Sequence, residues 1–129
     1  MVEKYRINAI IKMKIKFYRK SNDRSPVIDF LEKLPVEENA RIVACLRSIE
    51  ELEFDSPRVG FRQIKGQLWE IKIRTHKSGY RIFYVCIQHA NIVLLDIYKK
   101  QTQKAPKRII KIAEKRMLEV LNNESTYLN

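Results

Sequence analysis

The sequence predicts an α+β domain: a small antiparallel β-sheet with an N-terminal helical hairpin packed on it and a C-terminal helix. Three observations carry that prediction. Apolar residues recur at helical spacing over residues 27–52, at strand spacing over 61–98, and at helical spacing again after Pro106. The gaps between the strand-like runs are short, as antiparallel neighbours require. A length of 129 residues with 45% hydrophobic content suits one domain with a packed core.

Residues 1–12 (MVEKYRINAIIK) read as a variable N-terminal extension, because Met13 opens MKIKFYRK, itself a plausible start; the single domain then spans 13–129. Lys14-Ile15-Lys16-Phe17-Tyr18-Arg19 alternates as a short first strand. Ser25 is a good N-cap, and Pro26 suits the first helical position, where no N–H is needed. Val27, Phe30, Leu31 and Leu34 follow at helical spacing until Pro35 stops the run. A longer helix over 36–53 gathers Ile42, Cys45, Leu46, Ile49 and Leu52 on one face. Two helices so closely linked form a hairpin over one face of a sheet. Strands are expected at 61–65, 68–74, 80–87 and 92–98, with turns at Gly66, 75–79 and 89–91. In 68–74, Trp69, Ile71 and Ile73 face one way and Glu70, Lys72 and Arg74 the other. Residues 80–87 are apolar on both faces except at Arg81, as in a central strand. Ile109, Ile112, Ala113, Met117, Val120 and Leu121 form the stripe of the last helix, and 122–129 are expected to fray.

The formal charge is +11, which points to nucleic acid or another polyanion. Its distribution says more. Residues 1–60 hold 12 Lys and Arg against 10 Asp and Glu, whereas 61–129 hold 14 against 5. Cys45 and Cys86 stand apart without metal or disulfide spacing and read as core thiols of a reducing, cytoplasmic compartment. No apolar run approaches the roughly 20 residues that cross a bilayer, so no membrane partner is expected. Neither a Ser-His-Asp pattern nor a phosphate-binding glycine loop is present, and no cofactor or metal is implied.

The chemistry-bearing pattern is the set of cations on sheet positions. Glu70, Lys72 and Arg74 share one face of a strand, Arg81 lies on the next, and Lys99 and Lys100 leave the third. Such a cleft could hold a phosphate and the extra charge of a phosphoryl-transfer transition state, or be a solvated sheet face with internal pairing. For Arg81 the alternatives are a bidentate phosphate clamp or an internal pair with Glu70 or Asp96. His76 suits a solvated turn better than a general base. Trp69, Phe83 and Tyr84 suit packing, although Tyr84 or Tyr98 could stack on a base if exposed. Arg62, Lys65, Lys77, Lys104, Lys107 and Arg108 are candidates for gripping RNA phosphates.

LWEIKIR, then GYRIFY, then IVLLDIYKKQTQKAP and a basic helix resemble the RelE/HigB branch of toxins of bacterial toxin–antitoxin systems, in particular the phage-derived HigB-like group within the RelE/ParE superfamily. The resemblance covers residues 14–121 and implies the sheet, hairpin and C-terminal helix already read from the residues. It implies an mRNA endonuclease acting on the ribosome, by 2′-OH attack without metal, and silenced by an antitoxin, commonly a helix-turn-helix HigA-like protein. Lys72 then matches a catalytic lysine, Arg81 the phosphate-binding arginine and Lys100 the basic residue after the last strand. Two positions depart from RelE: Glu70 stands where RelE has a lysine, and no tyrosine lies near Pro106. Arg74 and Lys99 complete the candidate catalytic set, with Glu70 or Lys72 as base and Lys99 or Lys100 at the leaving oxygen. A ParE-like gyrase inhibitor on the same fold and a non-enzymatic nucleic-acid-binding regulator are the competing functions.

Overall fold

Ser25 begins the helical part of the chain as its sequence suggests: its hydroxyl accepts from the Ile28 amide at 3.1 Å, and Pro26 follows as the first helical residue. The structure, a computed structural model, describes residues 13–88, 90–101 and 105–128. Its strands are β1 (Lys14–Phe17), β2 (Val59–Lys65), β3 (Leu68–Arg74), β4 (Gly79–Ile87) and β5 (Asn91–Lys100). Its helices are α1 (Pro26–Glu32), α2 (Val36–Leu52) and α3 (Lys107–Leu121).

The five strands form one sheet in the order β1-β5-β4-β3-β2, with β4 central. The fold is α+β, and two expectations are corrected. The sheet is mixed, not antiparallel throughout: β1 runs parallel to β5, Lys14 beside Asn91 and Phe17 beside Leu94. The helical hairpin is not N-terminal, because β1 precedes it. The physical reason lies in burial. Ile15 and Phe17 pack on the cluster under the hairpin, which they share with Ile92 and Leu94 of β5. β1 is joined to the sheet through helices and not a tight turn, so nothing forces it antiparallel. Glu50 of α2 also accepts from the Ile15 amide at 3.0 Å.

Each face of the sheet has its own core. Ile71, Ile73, Tyr80, Ile82, Tyr84, Ile92 and Leu94 pack against Val27, Leu31, Ile42, Leu46 and Ile49 of the hairpin. Leu68, Phe83, Val85, Val93 and Leu95 pack against Ala113 and Val120 of α3. Arg116 fastens α3 to the sheet: it donates to the Leu95 carbonyl at 3.1 Å, pairs with Asp96 at 3.3 Å and lies over the Tyr18 ring. The tail does not fray as expected. Glu124–Tyr127 forms a 3₁₀ turn, Tyr127 packs on the α3 core, and its hydroxyl accepts from the Arg19 amide. Cys45 is buried but Cys86 is exposed, since the hairpin stops short of that end of β4.

One irregularity positions the site. Phe83 pairs with Asp96 but Tyr84 pairs with Leu94, so Leu95 is an extra residue in β5. Leu95 packs in the α3 core and the next residue, Asp96, also reaches α3. Beyond this bulge, Asp96, Tyr98 and Lys100 share the α3 face. Among the described residues, no helix is long and apolar enough to cross a membrane.

Candidate active site

Strand register brings the candidate residues together at one end of the sheet. Arg81 of β4 stands opposite Lys72 of β3 on one side and Tyr98 of β5 on the other. In the next row, Arg74 and Lys100 flank Gly79. Gly79 has no side chain, so the centre of this row is open; a Cβ there would lie 3.8 Å from Nη1 of Arg81. The result is a cleft of about 740 Å³ lined by Arg74, Lys77, Arg81, Lys99 and Lys100, with His76 and polar turn residues and no carboxylate.

The turn that closes the cleft is held rigidly. Thr75 and Ser78 bond across it: the Thr75 amide donates to the Ser78 carbonyl at 2.8 Å, and Thr75 Oγ1 accepts from the Ser78 amide at 3.0 Å. Thr75 Oγ1 also donates to Glu38 of α2 at 2.8 Å, and the Tyr80 hydroxyl donates to the same oxygen at 2.9 Å. Glu38 is buried, and its carboxyl is held below the ordinary range by the Thr75 bond first and the Tyr80 bond next, against the opposing effect of burial. Burial and the bond to Glu38 raise the Tyr80 hydroxyl.

Beneath the cleft lies Glu70, 0% exposed. Its Oε1 is 3.6 Å from Arg81 Nε and 3.4 Å from Arg62 Nη2, and neither oxygen has a hydrogen bond. The internal partner of Arg81 is therefore Glu70, while Asp96 goes to Arg116. Burial raises the Asp96 carboxyl and Arg116 opposes that. Arg81 keeps 12% of its side chain exposed, on the cleft side. Lys100 is pushed below the ordinary lysine range, chiefly by the charge of Arg81, then by desolvation and by Lys72. Crowding of cations destabilises the ammonium form.

Of the expected residues, Arg74, Arg81, Lys99, Lys100 and Lys77 line the cleft. Lys72 is half-buried in the row beside Arg81, and Glu70 lies below. Arg62 of β2 is drawn to Glu70 of β3. Lys65 is not brought to the cleft: it ends β2, opposite Leu68 at the far end of β3, within 3.7 Å of Glu114 of α3. Lys107 and Arg108 line a separate hollow on α3 with Lys111 and Lys115. Lys104 and His89 fall outside the described residues. Tyr84 is buried, and Tyr98 stacks on Phe83 at 5.7 Å between centroids. Among the described residues, no His, Cys, Asp and Glu cluster could hold a metal ion. Thr75, Ser78 and Glu38 escaped the sequence reading. A Thr-x-x-Ser turn hints at the first two, but nothing local marks Glu38.

Arginines and lysines of β3, β4, β5 and the β3–β4 turn thus surround one open cleft on a small basic α+β fold. The model of the family described as Phage derived protein Gp49-like (DUF891) matches residues 29–118. The chain belongs to this family, which falls within the RelE/HigB-like toxin group. Membership suggests a toxin of a toxin–antitoxin pair with an antitoxin as partner. No curated protein matches the chain.

Proposed function

We propose that the protein is a toxin that cuts mRNA on the ribosome, without a metal, and is held inactive by an antitoxin of helix-turn-helix type. The observation that supports this best is the cleft itself: five Lys and Arg side chains around an opening with no acid, backed by one buried carboxylate. Cations fixed in advance around the reacting phosphate stabilise the charge that grows in the transition state. Arg81 and Arg74 hold the scissile phosphate. Arg81 is aimed by Glu70, which is too deep to touch substrate and is a positioning residue. On this reading the base is a residue other than Glu70. Lys100, lowered by its neighbours, is neutral more readily than an ordinary lysine and takes the proton of the 2′-OH. The 2′ oxygen then bonds to phosphorus, the P–O5′ bond breaks, and Lys99 gives a proton to the leaving 5′ oxygen. The products are a 2′,3′-cyclic phosphate and a 5′-OH. Lys72 adds positive charge beside Arg81.

The test is induced expression with mapping of mRNA 5′ ends, then single-turnover cleavage of ribosome-bound message by purified protein. Breaks within translated regions are expected. Arg81→Ala is expected to lower the cleavage rate by about 10²–10³-fold. Arrest with intact mRNA and damaged DNA would instead identify a gyrase inhibitor, and no arrest at all a non-enzymatic binder.

A further inference from the structure

Across the β3–β4 turn from the cleft lies a second hollow of about 320 Å³, lined by Arg41, Arg58, Arg74, Thr75 and His76. Its three arginines come from α2, the loop before β2 and the end of β3. Like charges repel, so such a gathering calls for a counter-charge. Elsewhere the fold supplies one: Arg24 pairs with Asp29, Arg62 and Arg81 with Glu70, and Arg116 with Asp96. Among the described residues, Arg41, Arg58 and Arg74 form no ion pair, and the hollow has no acid in its wall.

Two further observations locate the group. Arg58 stands at φ +63°, in the left-handed region where a side chain is costly and glycine is not. The hollow also adjoins the cleft, since Arg74, Thr75 and His76 line both, and Thr75 is clamped to Glu38.

We propose that this hollow is a second phosphodiester site, which takes a flanking backbone phosphate of the RNA strand whose scissile phosphate occupies the cleft. Guanidinium forks match phosphate oxygens two at a time, and no Phe, Tyr or Trp lines the hollow, so it reads backbone and not base. The inference rests on the RNA-cutting reading above.

The test uses Arg41→Gln/Arg58→Gly in the full chain. Glycine suits the positive φ at 58, so this variant keeps the fold, which circular dichroism and thermal melting verify. The probe is a fluorescein-labelled single-stranded RNA with 2′-O-methyl riboses, which binds but lacks the attacking hydroxyl. A control with equal charge loss, Lys33→Gln/Arg47→Gln, alters exposed residues outside the hollow. The expected result is binding about 10-fold weaker than wild type. The salt slope should be shallower by about 0.7 for each phosphate that the variant no longer neutralises, with the control near wild type. Unchanged binding to the free RNA with weakened binding to ribosomes would assign the same phosphodiester chemistry to ribosomal RNA. Equal loss in variant and control, or no loss to either probe, would overturn the proposal. If the wild type bound neither probe, the RNA-cutting reading would fail with it.

Discussion

Lys100 owes its place beside Arg81 to one additional residue, Leu95. Counting alternation back to Leu94, which packs under the hairpin, would send Asp96, Tyr98 and Lys100 to that same face. The bulge moves them to the α3 face, which Lys72, Arg74 and Arg81 share, with Tyr98 in the row of Lys72 and Arg81 and Lys100 in the row of Arg74 and Gly79. Composition and spacing in LLDIYKK carry no sign of it, which is why the sequence could place Lys100 near the cleft but not among its neighbours. The same crowding makes a prediction. Arg81 and Lys72 lower Lys100, whereas Glu70 raises it. If neutral Lys100 is the base, Lys72→Met shifts the ascending limb of the pH–rate profile to higher pH, and Glu70→Gln shifts it to lower pH. Single-turnover cleavage across pH measures both; a limb that moves in neither variant would remove Lys100 from the proton transfer. Lys72→Met is the cleaner arm, because taking the charge from Glu70 leaves Arg62 and Arg81 unpaired and costs about 3–5 kcal/mol of stability.

At the scale of elements, the β3–β4 turn carries the site. Its strands were legible in the sequence: 68–74 alternates over its whole length, and Arg81 in an apolar run marks β4 as central. The clamp was not, because Glu38 meets Thr75 and Tyr80 only through the packing of α2 on the sheet. The folded carboxyl of Glu38 lies below its ordinary range, so its contribution to stability is complete above that range. It is lost as pH falls through the lower folded value. Melting temperature followed on the acid side should therefore fall less steeply in Glu38→Gln than in wild type, from a lower starting point at neutral pH. Gly79 offers a separate test. A Cβ there meets Arg81 only at an ordinary contact distance of 3.8 Å, so Gly79→Val should fold normally while its branches fill the cleft. Melting near the wild-type value with cleavage strongly reduced is expected; full cleavage would show that the substrate lies elsewhere.

For the whole molecule, helical and strand periods predicted the element order and the hairpin over the sheet. What they missed was how the chain ends attach. Four residues of β1 are too few to declare a partner, and its parallel pairing depends on residues from the far end of the sheet. The hairpin core buries Ile42 and Ile49 completely against the sheet, and Ile42→Ala should cost about 2–5 kcal/mol, read by denaturant unfolding. The parallel pairing also has a consequence for how the protein comes into being. A ribosome making this chain releases β1 early, but its partner residues 91–94 emerge only after most of the domain. Lys99 and Lys100, which wall the cleft, follow a few residues later. Pairings between distant parts of a chain form late and slowly. A chain still short of Lys100 has neither a completed sheet nor a complete cleft, so the cleft takes shape only once most of the domain has been made.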